Sequence, residues 1–563
     1  MRRTTTPHHS ITDRLAARLG DETVFGRRVR DIRADLERRV VPTHWTNLFG
    51  VVAMACLVVL TVTGVWLMFF YVPSGDPRTY GGTYAPLRGA EVSAAYASTM
   101  RITFDVPGGL LMRQAHHWAA LLLPAAILMQ LVTAYFTGGF RRPRRGMWVL
   151  LFLVFVASLA GGWSGYALPD DLLSGTGLRI TEGIALGIPV VGTWLASLLF
   201  GGSFPGEVIA HLYPLHVAVV PAVLVALIAA RVYAAWRIGP AQFPGLGRTE
   251  RRVVGVPLLP TAAARAGGLF LIVAGLLLVI SATVTINPIQ VYGPASSGDA
   301  GAGSQPDWYT GFLDGALRLV PPGWEIVLFD RTWTLAILVP LAVVTIALGV
   351  VAAYPFLEEL LTGDIRRHHL LDRPRTAPTR TGIGVAGLVF FGTLQLAGSA
   401  DLVATHLHVT FEGIIAALQV TLVLGPFAAF SIARRACLGL QRRDLDRLRH
   451  GVETGRLVRL PGGEVIEVHR PLDAVERARI ARPEAPRPLE LRPDARGRLP
   501  LARRARVGMS RWFVGAPLEV EAAASPELEG SRSRPEREPE PAPDPTAATA
   551  APRHPLEAPA PPS

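Results

Sequence analysis

Eight stretches of this chain stay apolar for long enough to cross the roughly 30 Å hydrocarbon layer of a bilayer. They are Leu48–Tyr71, Gly109–Phe136, Met147–Gly165, His211–Trp236, Gly267–Ile286, Trp333–Tyr354, Ile383–Ser399 and Gly413–Ala433. A chain patterned this way has little choice of architecture. Inside lipid every backbone N–H and C=O must be satisfied within its own segment, so each stretch is expected to be a helix. The fold class that follows is all-α and integral to the membrane, with eight transmembrane helices. Half of the 563 residues are hydrophobic, which agrees.

Charge supplies the orientation. The formal net charge is +12, and every one of the 56 Lys-plus-Arg positions is arginine. Without lysine, Schiff-base chemistry and a phosphate-loop lysine are excluded. The arginines fall on alternate loops. Arg27–Arg39 precede the first span, Arg141, Arg142, Arg144 and Arg145 follow the second, and Arg237–Arg252 follow the fourth. Arg366, Arg367, Arg373 and Arg375 follow the sixth, and Arg434, Arg435, Arg442 and Arg443 the eighth. The loops between carry Asp170, Asp171, Glu182 and Glu207, then Asp299, Asp307, Asp314, Glu325 and Asp330. This is the positive-inside pattern of a plasma-membrane protein with both termini cytoplasmic, and it replaces any nucleic-acid reading of the charge. No cleavable signal peptide is recognisable before the first span. Cys56 and Cys437 are too few to hold an iron–sulfur cluster, an attached c-type haem or zinc, so such a group is expected only in another subunit.

Five regions are expected. Residues 1–46 are a cytoplasmic lead-in whose Arg/Asp/Glu pattern suits an interfacial helix, and 47–237 contain the first four spans with every candidate cofactor ligand. Residues 238–433 hold the other four spans and a long outer loop, 286–332, whose aromatic and apolar content argues for packing and function. Residues 434–521 form a basic cytoplasmic extension with one strand-like stretch, GEVIEVHRP, and 522–563 are Pro-, Ala- and Glu-rich and expected to be disordered. Gly382 to Gly387 match a GxGxxG fingerprint. No strand precedes them and a membrane helix follows, so close helix packing is the expected role.

The chemistry lies in the second and fourth spans. His116 and His216 stand at equal depth on helices that run inward from the same side. Gln130 follows His116 by fourteen residues and Arg231 follows His216 by fifteen. Those spacings correspond to ~21 and ~22 Å, the depth of two stacked haems, and bring each partner back to within roughly 40–60° of its starting face. One level therefore offers two imidazoles and the other an amide and a guanidinium. A lone intramembrane histidine is as well read as a satisfied core residue, but a matched pair points to bis-histidine ligation of a haem iron. His117 lies ~100° further round the helix and is not expected to share that iron. Arg113, one turn before His116, is placed either to pair with a haem propionate or to reach back to the interface. Gly64 and Gly165, near the outer ends of the first and third spans, offer backbone free of side chains to a macrocycle edge. Gly50 repeats that provision fourteen residues before Gly64, but the matching residue of the third span is Leu151, whose side chain would crowd a ring.

The third span leads into GYALPDDLLSGTG, and the long outer loop contains Pro306-Asp307-Trp308-Tyr309. PTHW precedes the first span, FTGGFRRPR follows the second and HHLLDRPR follows the sixth. On these motifs the chain resembles the cytochrome b subunit of actinobacterial quinol–cytochrome c reductases, from about residue 20 to about residue 475. The resemblance implies a quinol-oxidising site lined by Pro306, Asp307, Trp308 and Tyr309, with Asp307 accepting a quinol proton and Tyr309 holding or gating the ring. It implies electron transfer from menaquinol through b haem with proton release outside. It also implies a Rieske iron–sulfur subunit and a c-type cytochrome subunit as partners in a dimeric complex, with a terminal oxidase as a further one.

That family carries two haems, and this chain departs from it at one level. Gln130 and Arg231 replace the inner pair of histidines, and Leu151 the inner glycine. Arginine does not ligate haem iron and glutamine rarely does. None of the other histidines lies mid-span on the cytoplasmic half, His44 being the nearest. One b haem is therefore expected, at the outer level, with Gln130 hydrogen-bonded to Arg231 where the second would sit. A full proton-motive Q cycle is then in doubt. The competing reading is a catalytically degenerate paralogue that serves as scaffold or regulatory partner.

Overall fold

The computed structural model describes residues 24–202, 206–296, 298–299, 305–480, 486–493 and 499–515. Among them, eight helices are long and apolar enough to cross a membrane, one over each expected stretch. They are α1 (Leu48–Met68), α2 (Gly109–Phe136), α3 (Arg145–Tyr166), α4 (Val208–Ile238), α5 (Ala263–Thr283), α6 (Leu335–Thr362), α7 (Pro378–Gly398) and α8 (Phe411–His450). The chain is a multi-pass membrane protein. Large apolar side chains such as Val62, Leu424 and Phe427 cover its outside, as lipid rather than water requires.

Two helices depart from regularity for identifiable reasons. In α4, residues Leu215–Val219 form a π turn in which the Val220 N–H donates to the Leu215 carbonyl. Pro221 has no N–H to give to Val217, so the regular hydrogen-bond ladder cannot continue there. His216 sits inside this turn. α8 is 40 residues long and runs well past Ala433. Arginine, leucine and glutamine sustain it, and Gly451, at φ +92°, ends it.

α1 packs on α2, α3 on α4, and α2 on α3, while α5 covers α1 and α2, and α7 pairs with α8. Lipid tails are as apolar as leucine, so close approach rather than water exclusion holds such helices together. The GxGxxG stretch serves that purpose at two positions: a Cβ on Gly382 would stand 2.8 Å from Phe430 of α8, and one on Gly384 would overlap Tyr135 of α2. One buried cluster runs along the bundle, with Cys56, Leu131, Trp148, Leu151, Phe152 and Phe155 among its members.

The arginine-rich face is itself tied together. Arg380 of α7 is buried and donates to both oxygens of Glu358 on α6, at 2.8 and 2.5 Å, and to Asp372 at 2.8 Å. Arg142 and Arg145 share Glu359 at 2.6 and 2.7 Å. Arg144 donates to the carbonyls of His368 and Gly239 at 2.7 and 3.0 Å. The motifs FTGGFRRPR and HHLLDRPR thus hold one another. The lead-in helix forms at Val24–Arg38. In the extension the stretch GEVIEVHRP supplies Val465–Arg470, which pairs antiparallel with Val452–Arg459, a strand the sequence reading lacked. The tail expected to be disordered lies outside the described residues. Within the long loop, the helix Gly311–Arg318 lies against α7.

Candidate functional site

On the side away from the arginine-rich loops, the first four helices enclose a cavity of about 290 Å³. Its walls include Arg113, His116, His117, Asp171, His216 and Asp307. α2 contributes His116 and the π turn of α4 contributes His216, with ring centroids 6.1 Å apart and planes at 71°. Two imidazoles that each place a nitrogen about 2 Å from a shared iron stand at about that separation.

The hydrogen bonds around the rings fix which nitrogen is free. Thr63 donates its hydroxyl to the Val59 carbonyl at 2.6 Å, so towards His116 Nδ1, at 3.0 Å, its oxygen accepts. Ser164 donates to the Ala160 carbonyl at 2.8 Å and likewise accepts from His216 Nδ1 at 3.1 Å. Both Nδ1 atoms therefore carry the proton. Both Nε2 atoms keep their lone pair, the form in which imidazole binds a metal.

Gly64 and Gly165 lie against the two imidazoles. A Cβ on Gly165 would overlap His216 Cε1, and one on Gly64 would stand 3.1 Å from His116 Cε1. They make room for the imidazoles themselves, whatever else approaches them. Nε and Nη2 of Arg113 are buried and have no hydrogen-bond partner among the described residues. A guanidinium orphaned in a cavity is costly unless an anion completes it. Paired ring nitrogens, glycine backing and an arginine with two guanidinium nitrogens free of hydrogen bonds among the described residues, Asp171 supplying a nearby opposing charge, together fit a haem bearing carboxylates.

Asp307 stands on the same cavity wall. Tyr309, 2% exposed, donates its hydroxyl to Asp307 Oδ2 at 2.8 Å. Burial, reinforced by the negative charge of Asp307, pushes the Tyr309 phenol well above its ordinary range, so it stays a donor. Gly162 gives the ring its seat, since a Cβ there would lie 2.5 Å from the Tyr309 hydroxyl. Trp308 anchors the segment by donating Nε1–H to the Leu121 carbonyl at 3.1 Å. His117 reaches Asp307, with Nε2 at 3.1 and 3.2 Å from the two oxygens. Burial raises the Asp171 carboxyl, against the opposing hydrogen bonds of Ser174. Pro306 leads into the segment.

The other level is built differently. Gln130 turns towards α1, its Oε1 3.9 Å from where a Cβ on Gly50 would be. Arg231 Nε is buried without a hydrogen-bond partner. The expected hydrogen bond between Gln130 and Arg231 is not formed among the described residues; the amide faces the gap left by Gly50 instead. Leu151 is 3% exposed and belongs to the packed cluster.

The sequence reading placed His116, His216 and Arg113 at a haem and Asp307 and Tyr309 at a quinol site; the fold brings His116, His216, Arg113 and Asp307 to one cavity, with Tyr309 hydrogen-bonded to Asp307. It missed Thr63 and Ser164, although each directly precedes one of the two glycines. It set His117 aside as unsuited to the iron and had no partner for it.

A family model described as "Cytochrome b(N-terminal)/b6/petB" matches residues 121–294. The cytochrome bc1 complex cytochrome b subunit of Streptomyces coelicolor is 44% identical over 457 residues, 81% of this chain and 84% of that one. Its counterpart in Mycobacterium tuberculosis is 44% identical over 445 residues, 78% of this chain and 80% of that one. A solved structure titled "Hyperthermophilic respiratory Complex III" is similar in fold, with a TM-score of 0.54 at 17% identity, covering 74% of this chain and all of that one.

Proposed function

The chain belongs to the cytochrome b subunits of cytochrome bc1 complexes, and on that premise we propose that one b haem and menaquinol share the cavity between α1, α2, α3 and α4. His116 and His216 would hold the iron through Nε2, with Thr63 and Ser164 fixing the rings and Gly64 and Gly165 admitting them. Arg113 would pair with a propionate. When bound, the haem supplies a one-electron relay. The chain's own residues orient the quinol and take its proton.

In this reading the quinol lies beside Pro306, Asp307, Trp308 and Tyr309. A quinol hydroxyl donates to the Asp307 carboxylate, and Tyr309, kept protonated by its burial, holds that carboxylate from the other side. The proton leaves on the loop face, which the arginine distribution makes the outside of the plasma membrane, with both termini cytoplasmic. A Rieske subunit and a c-type cytochrome subunit accept the electrons, in a dimeric complex that passes them on to a terminal oxidase.

A second haem at the level of Gln130 and Arg231 is not part of this reading. Neither side chain offers an imidazole nitrogen, and Leu151 is packed in. Electrons then have no haem path to the cytoplasmic half, and a full Q cycle does not run through this chain. The observation that carries the reading is the pair of imidazoles with ring centroids 6.1 Å apart and Nε2 left free, beside an arginine with two guanidinium nitrogens lacking a hydrogen bond among the described residues. Counting b haem per polypeptide in the purified complex, with a redox titration, tests it. One haem reducible by menaquinol is expected. Two would overturn the single-haem assignment, and none would overturn quinol oxidation by this chain.

A further inference from the structure

We infer that His117 is the positioning residue that aims Asp307 at the quinol, a role that rests on the reading of Asp307 as the proton acceptor. Asp307 belongs to the long outer loop, and its carboxylate points where its hydrogen-bond donors hold it. Two donors fix it from different elements. Tyr309 binds Oδ2 from within the loop at 2.8 Å, and His117 bridges both oxygens from α2 at 3.1 and 3.2 Å. The side chains of His117 and Asp307 are 17% and 9% exposed, so water competes little for this contact. An ionised carboxylate only accepts, so His117 Nε2 is the donor.

The position of His117 on α2 gives the contact its meaning. One turn further along, the Leu121 carbonyl accepts from Trp308 Nε1 at 3.1 Å. Residues 117 and 121 share one face of the helix, and successive residues of the loop segment, Asp307 and Trp308, dock on them. The segment is thereby registered to α2 itself. His116, the neighbouring residue, points about 100° away into the cavity towards His216. A single helix thus sets both the place of the iron and the place of the proton acceptor. With three of its roughly four lone-pair directions met by Tyr309 and His117, the carboxylate keeps one for a hydroxyl in the cavity it lines.

The test compares His117→Leu, His117→Gln and Asp307→Asn in the purified complex, by steady-state quinol oxidation and by the reduced haem spectrum. Glutamine keeps an N–H donor near the Nε2 position; leucine does not. His117→Leu is expected to lower kcat by about tenfold or more, as losing a hydrogen bond to a charged group does, with KM for quinol changed far less. His117→Gln is expected to recover most of kcat, and all three variants to keep the b-haem spectrum. A His117→Leu enzyme with wild-type kcat, beside an inactive Asp307→Asn, would overturn the role of His117 alone. Equal defects in His117→Leu and His117→Gln would also overturn it, since a donor would then not be what is needed. Wild-type turnover in Asp307→Asn would instead remove the reading of Asp307, and the positioning role with it.

Discussion

At Gly165 one methyl group would overlap the His216 ring, whereas at Gly64 it would still stand 3.1 Å from His116 Cε1. Gly165→Ala is therefore expected to lose most of its b haem and Gly64→Ala to retain the larger part, measured as haem per polypeptide. Equal retention would contradict the steric account. Thr63→Val and Ser164→Ala each remove the acceptor that fixes an Nδ1 proton. Loss of such an outer partner costs roughly 10–100-fold in metal affinity, so haem should dissociate at least about tenfold more readily during detergent washing. Unchanged retention would mean the rings are oriented without them. The two histidines could be read from the sequence because equal depth on parallel-running spans is a property of spacing. The contact of His117 with Asp307 could not: 190 positions separate them, and only the folded loop brings the carboxylate to α2.

Among the elements, α4 is shaped by Pro221. Substituting alanine supplies the missing N–H and allows the Leu215–Val219 turn to close as regular helix, which rotates His216 about the axis. Pro221→Ala should shift the visible spectrum and midpoint potential of the b haem while leaving the protein folded; a native spectrum would show that the π turn does not set the ring. On the opposite face, α6 and α7 are joined through buried Arg380, Glu358 and Asp372. Arg380→Leu leaves the buried Glu358 carboxylate uncompensated, while Asp372 keeps Arg141 at 3.1 Å, a loss of about 3–5 kcal/mol for a buried pair. It should lower the melting temperature of the purified complex clearly, whereas the exposed pair Arg492–Glu490, substituted in the same way, should not. All eight spans were legible from apolar length alone. The end of α8 was not, because the residues after Ala433 are polar yet still favour helix.

For the whole molecule, the two levels of the bundle make opposite provisions. One keeps a cavity behind its paired histidines, and the other is packed around Leu151 with Gln130 turned to Gly50. Gln130→His with Arg231→His is expected to leave haem at one per chain, because the ligands return but the space does not. Adding Leu151→Gly should raise it towards two. A second haem in the double variant would show that packing is no obstacle; a single haem in the triple variant would show that more than Leu151 fills the level.

What the sequence determined by itself was the number of spans and their helical state, together with which side chains stand as candidates to ligate iron or take a proton. These depend on hydrophobic length, residue chemistry and spacing along a helix, all of them local quantities. Tertiary structure decided that Thr63 and Ser164 hold the imidazole protons, that two guanidinium nitrogens of Arg113 find no hydrogen-bond partner among the described residues, that Gln130 does not meet Arg231, and that His117 binds Asp307. Each of those depends on which faces of separate helices and loops come together, and helix-to-helix rotation is set by packing across the bundle, not by any one segment.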